Sequence, residues 1–144
     1  MRELPRQLSV AELTPLFSGR TRLVDELASR SDPLAVAEEV ALSLSEADQV
    51  VALATHPRIG EPSEEQRGAE PEVLDELARL NDEYERRFGF EFVVFVDGRT
   101  RTELLPVLHE RLENTRDQEL EAGLRALCAI ARSRWEQHRW TRTI

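Results

Sequence analysis

Only one segment of this chain, Phe90 to Val96, has the composition of a β-strand. Its residues are aromatic or β-branched except for Glu91, and such residues favour extended backbone. A single strand cannot form a sheet, because even a two-stranded hairpin is marginally stable in water. We therefore expect an all-α fold of about six to eight helices. Residues 90–97 would form one buried extended segment whose backbone N–H and C=O groups need partners.

The composition supports this expectation. Hydrophobic residues make up 40% of the 144 residues and charged residues 33%, which is typical of a folded globular protein and not of a disordered one. Leu, Ala, Glu and Arg are abundant, whereas the chain has 6 Gly and 7 Pro, so helices are favoured. The length fits one domain, which we predict to span residues 1–144.

Helix start signals recur through the first third of the chain. Ser9 followed by Glu12 predicts a capping box. Asp32 before Pro33 predicts another start, with Asp as the N-cap residue and Pro at the first helical position. Ser45 is a candidate cap for a shorter helix that ends near residue 56.

The second half of the chain contains longer helices. Pro71 is predicted to open a helix that runs to about Phe88 and ends at Gly89. The next helix begins at Thr100, in a capping box, or at Thr102. The later start would keep Pro106 in the first turn, where its missing N–H costs little.

Charge and cysteine content exclude several classes of function. The net charge of −9 disfavours nucleic-acid binding, which needs a basic face. Cys128 is the only cysteine, so no intrachain disulfide or thiolate metal cluster can form, and a cytoplasmic location is expected. No apolar run approaches the ~20 residues that span a bilayer, and no metal-protease, nucleotide or serine-hydrolase motif occurs. We expect no membrane insertion and no metal.

His56 is the first candidate for chemistry. Pro57 follows it, and a proline disfavours the α conformation in the residue before it. The preceding helix should therefore end there and leave the imidazole near solvent, where it can give or take a proton at neutral pH. The alternative is a histidine that closes a helix and is satisfied by a backbone group. For a lone histidine, this alternative is the commoner case.

Polar residues that complement an imidazole follow in a loop rich in Pro, Gly, Glu and Ser. Glu65 lies nine residues after His56 and can orient its ring, while Gln66 and Ser63 can hydrogen-bond a planar polar substrate. The alternative is that Ser63 caps a short solvated helix. Arg134, on the inner face of the last helix, could bind a substrate carboxylate or interact with carbonyls at a helix end.

Together these residues resemble one family, the decarboxylases of 2-oxo-4-hydroxy-4-carboxy-5-ureidoimidazoline (OHCU). The likeness covers roughly residues 8–135, and the string of Asn, Tyr, Phe, Gly and Phe beside His-Pro is its most specific part. The matching pieces are His56-Pro57-Arg58-Ile59-Gly60, Ser63 to Gln66, Leu80-Asn81-x-x-Tyr84-x-x-x-Phe88-Gly89-Phe90-x-Phe92-Val93, Arg111-Leu112-x-Asn114, Glu119-Leu120 and Ile130-Ala131-x-x-Arg134.

The resemblance implies an all-helical homodimer without a cofactor that converts OHCU, a small anionic substrate, to (S)-allantoin in uric acid breakdown. Such an enzyme is a carbon–carbon lyase. By position, His56 matches the family's catalytic histidine and Glu65 its partner carboxylate. The residues that match substrate-binding positions are Pro57, Ser63, Gln66, Phe92, Val93, Val94, Phe95, Val96 and Arg134.

Three departures from the family pattern keep alternatives open. The loop between His-Pro and Glu-Gln is shortened, Pro62 stands where the family commonly has serine, and Glu91 and Asp97 replace a usual proline and a frequent arginine. Ser63 is the candidate substitute for that serine. A relative acting on another ureide or heterocyclic acid, or a non-catalytic helical binding module, is therefore an alternative to the decarboxylase.

Overall fold

The computed structural model describes residues 7–56 and 71–143, with side chains described as far as residue 137. Seven α-helices and one 3₁₀ helix lie in these ranges, and no strand does. This confirms the predicted all-α fold. The helices are α1 (Val10–Leu13), α2 (Arg22–Ala28), α3 (Ala37–Ser43), α4 (Glu46–Ala54), α5 (Pro71–Phe88), α6 (Arg101–Arg111) and α7 (Arg116–Thr143), with the 3₁₀ helix (Thr14–Phe17) between α1 and α2.

The capping box that opens α1 is confirmed. The Glu12 N–H donates to Ser9 Oγ at 3.1 Å, and the Ser9 N–H donates back to Glu12 Oε1 at 3.0 Å. The chain then tightens into the 3₁₀ helix and ends it at Ser18, whose φ of 64° is left-handed. This turn directs the carbonyl groups of the 3₁₀ helix toward α7, which packs against it.

The predicted helix start at Asp32 and Pro33 is wrong. Residues 32–36 form turns in which the Asp32 carbonyl accepts from the Val36 N–H at 3.2 Å, and α3 begins only at Ala37. The Leu34 carbonyl instead accepts a 2.9 Å hydrogen bond from Arg132 Nε on α7. This tertiary bond replaces a helical one and delays the helix.

Of the two starts predicted for α6, the structure has Thr100. The Glu103 N–H donates to Thr100 Oγ1 at 3.1 Å, and the Thr100 N–H donates to Glu103 Oε1 at 2.9 Å. Pro106 therefore lies inside the helix, where it cannot donate to the carbonyl four residues earlier. Both Pro106 and Thr102 are exposed, so water can satisfy that carbonyl.

The extended segment packs against the aromatic end of α5. Gly89 (φ 81°) ends the helix in the left-handed conformation that glycine adopts without strain. The buried Tyr84 ring then contacts the Phe88 ring at 4.6 Å and the Phe92 ring at 5.1 Å between centroids. Phe92 and Val93 are buried, as predicted, whereas residues 94–96 are half-buried and border a cavity.

The long helix α7 lies across the other elements and contacts the 3₁₀ helix, α3 and α4. Its inner face presents Leu124, Leu127 and Ala131 to the core, all of them buried. Within the described ranges, no helix is both long and apolar enough to cross a membrane.

Candidate active site

A cavity of about 410 Å³ opens between the end of α4, the extended segment and the middle of α7. Residues 92–99 form one wall, and one face of α7 forms the opposite one. The remaining lining residues are His56 from the end of α4 and Ile130, Ser133, Arg134 and Gln137 from α7. His56, the segment 92–96 and Arg134, which sequence reasoning selected separately, therefore share one cavity.

His56 is buried, contrary to the prediction that its imidazole lies near solvent. Only 6% of the residue is exposed. The Thr55 hydroxyl hydrogen-bonds with the Ala52 carbonyl at 2.9 Å and with the Phe17 carbonyl at 3.0 Å. These contacts tie the end of α4 against the 3₁₀ helix, so the chain turns inward and carries the imidazole into the cavity wall.

Burial also sets the protonation state of His56. Desolvation, and secondarily the positive charge of Arg134, lower the pKa of His56 from 6.5 to about 4. Within the described part of the chain, Nε2 is buried and has no hydrogen-bond partner. At neutral pH the ring is therefore neutral and can accept a proton from a molecule in the cavity.

Arg134 is half-buried and is held by the end of the 3₁₀ helix. One terminal guanidinium nitrogen, Nη1, donates to Ser18 Oγ at 2.7 Å, to the Leu16 carbonyl at 3.2 Å and to the Pro15 carbonyl at 3.3 Å. The prediction of an arginine that meets carbonyls at a helix end is thus partly right. Those carbonyls belong to another helix, and α7 itself continues to Thr143.

The lip of the cavity carries both signs of charge. Asp97 is exposed with a left-handed φ of 49°, and Arg99 lines the same lip. Arg99 donates to the Phe95 carbonyl at 2.6 Å and to the Val96 carbonyl at 3.1 Å. The positive charge of Arg99 so close to the lip counteracts the repulsion that Asp97 alone would exert on an anion.

A second group of polar side chains lies behind the wall and outside the cavity. The fully buried carboxylate of Glu119 on α7 accepts from the Tyr84 hydroxyl at 2.6 Å and from Arg111 Nε at 2.8 Å with Oε1, and from Asn114 Nδ2 at 2.8 Å with Oε2. Burial and the hydrogen bond to Glu119 raise the pKa of Tyr84. The phenol therefore stays protonated and acts as a donor.

Four predicted site residues, Pro57, Ser63, Glu65 and Gln66, lie outside the described residues. Their roles stay predictions, as does the contact between His56 and Glu65.

On the α7 side of the cavity, sequence reasoning missed two polar residues, Ser133 and Gln137. Both lie on α7 beside residues that were selected, Ile130 and Arg134. Positions 130, 133, 134 and 137 follow the helical spacing of a single face. That spacing is the signal that could have identified them.

Comparison with known proteins identifies the family to which the chain belongs. A helical fold whose cavity joins a buried, neutral imidazole to an arginine is suited to acid–base chemistry on a small molecule. A family model described as OHCU decarboxylase matches residues 3–136. The chain therefore belongs to the OHCU decarboxylase family, and the resemblance predicted from the sequence is confirmed.

Two relatives and one solved structure are similar to this chain. The uric acid degradation bifunctional protein PucL of Bacillus subtilis (strain 168) is 34% identical in an alignment 91 residues long, and the match covers 55% of this chain and 18% of PucL. The 2-oxo-4-hydroxy-4-carboxy-5-ureidoimidazoline decarboxylase of Halalkalicoccus jeotgali is 28% identical over 105 residues, or 65% of this chain and 60% of the relative. A crystal structure of OHCU decarboxylase in the presence of (S)-allantoin superposes with a TM-score of 0.70 at 28% identity, covering 78% of this chain and 87% of that one.

Proposed function

We propose that this protein decarboxylates OHCU to (S)-allantoin, as a cofactor-independent carbon–carbon lyase of uric acid breakdown. Family membership supports the reaction class, and the structural likeness to a decarboxylase crystallised in the presence of (S)-allantoin supports the product. The observation that carries the proposal is the buried His56 imidazole, which shares a cavity with Arg134 and the extended segment.

The reaction replaces a carboxylate by a proton. The bond between the ring carbon and the carboxylate breaks, CO2 leaves, and the electron pair delocalises toward the adjacent imine-like centre, with the uptake of one proton overall. The hydroxyl on the same carbon then loses its proton to become a carbonyl, while the neighbouring carbon gains one. The protein must hold the carboxylate out of the ring plane and deliver a proton to one face.

His56 is suited to move that proton. Because its pKa of about 4 keeps the ring neutral, it can accept the hydroxyl proton and, as imidazolium, return a proton to the neighbouring carbon. General acid–base catalysis of this kind contributes about 10²- to 10⁴-fold. Glu65 would orient the ring and stabilise the imidazolium.

The remaining predicted residues would bind the substrate. Arg134 would attract a negatively charged oxygen, since its positive charge already acts on His56 across the cavity. Backbone groups of Phe92, Val93, Val94, Phe95 and Val96, together with Pro57, Ser63 and Gln66, would hold the ring and the ureido amides. The homodimer and a single domain over residues 1–144 belong to the same proposal and are supported by the family resemblance. The cytoplasmic location belongs to it too and is supported by the single cysteine, Cys128.

The test uses OHCU made freshly from urate, with substrate loss and CO2 release measured for the wild type and for matched histidine variants. His56→Asn should lose about 10²-fold or more of kcat. His109→Asn is the control, because His109 is an exposed histidine whose Nε2 lies 3.5 Å from Glu76, and it should keep wild-type activity. Glu65→Gln should lose less than His56→Asn.

Three results would contradict these assignments. A wild-type protein without turnover of OHCU would favour the binding module, or a relative acting on another ureide. A fully active His56→Asn variant would remove His56 from the chemistry. A larger loss in Glu65→Gln than in His56→Asn would give the carboxylate the leading role.

A further inference from the structure

We propose that Arg111 is a positioning residue, which rests on the proposed function of the cavity. Held by the buried carboxylate of Glu119, it would fix the peptide plane between Val93 and Val94, and with it the wall against which the substrate lies. Arg111 lines no part of the cavity, so it acts through the wall and does not touch a ligand.

Glu119 holds the guanidinium of Arg111 in place. The residue is fully buried, and both of its carboxylate oxygens accept hydrogen bonds from Tyr84, Arg111 and Asn114. These donors come from α5, from α6 and from the turn before α7. Because every donor is itself held by a helix or a turn, the carboxylate is fixed in position, and so is the guanidinium bound to it.

Arg111 transmits this fixed position to the extended segment by two contacts. Its Nη1 donates to the Val93 carbonyl at 3.0 Å, and its guanidinium carbon lies 4.6 Å from the centroid of the Phe92 ring. The arginine side chain is only 13% exposed. A guanidinium is planar and rigid. When one of its edges bonds a carboxylate and another bonds a carbonyl, it fixes the angle between these two groups, whereas the flexible ammonium of a lysine would not fix it.

The Val93 carbonyl determines where the next N–H points. In a trans peptide, the C=O of one residue and the N–H of the next lie on opposite sides of the chain. With the Val93 carbonyl turned to Arg111, the Val94 N–H is turned away from it. Among the described residues neither the N–H nor the C=O of Val94 has a hydrogen-bond partner, and Val94 lines the cavity. Arg111 thereby keeps this N–H available for a ligand.

A second arginine, Arg132, provides a matched control. Arg132 also joins a carboxylate to a backbone carbonyl, with Nη1 to Glu38 at 2.8 Å and Nε to the Leu34 carbonyl at 2.9 Å. None of these groups lines the cavity. Replacement of either arginine by lysine removes the same fork-shaped contact, but only Arg111 should affect the wall.

The experiment compares Arg111→Lys, Arg132→Lys and the wild type by hydrogen–deuterium exchange of the peptide that covers residues 91–99 and by steady-state kinetics with OHCU. Arg111→Lys should speed exchange in that peptide selectively and lower kcat by about 10- to 100-fold at saturating substrate, since a misplacement of about 1 Å can cost that much. Arg132→Lys should leave both quantities at the wild-type level.

Unchanged exchange in residues 91–99, or a uniform rise over all peptides, would overturn the proposal, as would an unchanged kcat. If Arg111→Lys does not fold, Tyr84→Phe is judged by the same criteria, because it removes one donor to Glu119 and keeps the packed ring. The exchange measurement needs no turnover. A wild type that does not convert OHCU would therefore refute the proposed function, while the effect of Arg111 on the wall would still be decided.

Discussion

Arg111 contacts the extended segment from outside the cavity, whereas Arg134 lines the cavity, and the two arginines act in different ways. Arg111 donates to the buried carboxylate of Glu119 at 2.8 Å, so its charge is neutralised inside the protein. Arg134 donates through Nη1 to two carbonyls and a hydroxyl, and its positive charge adds to the effect of burial in lowering the pKa of His56. Arg111 therefore acts through geometry, whereas Arg134 acts on the cavity through its positive charge.

The largest effect on stability should follow from breaking the ion pair between Arg111 and Glu119. Glu119→Gln leaves the guanidinium of Arg111 buried without its counter-charge, and removal of one partner of a buried pair costs about 3–5 kcal/mol. The free energy of unfolding in urea measures the loss. Glu38→Gln is the control, because Glu38 pairs with Arg125 and Arg132 on a partly exposed surface. It should cost about 0–1 kcal/mol, and equal losses in the two variants would contradict the account.

The pH dependence of stability tests the burial of His56. Its folded-state pKa of about 4 lies below the unfolded value of 6.5, so the unfolded chain binds the proton first as the pH falls. The free energy of unfolding should therefore decline from about pH 6.5 to about pH 4, by at most about 3 kcal/mol from this group, and then level off.

The matching variant isolates this contribution from that of carboxylates such as Glu38, whose pKa is also lowered, chiefly by its hydrogen bond to Arg132. His56→Asn should lose the part of the decline between pH 6.5 and pH 4. An identical pH profile in the wild type and the variant would show that His56 titrates alike in both states, which burial in the cavity wall does not allow.

Removal of the positive charge of Arg134 should affect activity more than stability. Arg134→Gln should lower kcat/KM by about 10- to 100-fold, because a hydrogen bond to a charged group is worth about 1.5–3 kcal/mol. It should also raise the pKa of His56 toward its ordinary value, as followed by NMR of the imidazole. Arg132→Gln, two residues earlier on the same helix, is the control. An unaltered His56 pKa in Arg134→Gln would contradict the action of the Arg134 charge on the cavity.

The helical fold and three parts of the site could be predicted from the sequence, because they depend on local patterns. The lone apolar segment at residues 90–96 indicated an extended piece among helices, and Pro57 indicated the end of α4 beside His56. Periodicity placed Arg134 on an inner face of α7. Each of these inferences needs only neighbouring residues.

The predictions were wrong where residues that are distant in the sequence determine the local structure. The burial of His56 depends on Thr55 bonding to the Phe17 carbonyl, 38 residues earlier in the chain. The delayed start of α3 depends on Arg132 bonding to the Leu34 carbonyl, 98 residues away. Neither partner can be inferred from local spacing. The cluster around Glu119 is in part the same kind of case, since Tyr84 bonds to Glu119 from 35 residues away.

In the proposed mechanism, His56 delivers a proton to one face of the substrate that the cavity holds. Decarboxylation free in solution has no facial preference and gives both allantoin enantiomers equally. The most direct measurement is therefore the enantiomer ratio of allantoin formed from urate oxidation products in the presence of the protein. The account predicts a large excess of (S)-allantoin with the wild type and a racemate with His56→Asn; a racemate with the wild type, or an undiminished (S) excess with the variant, would contradict it.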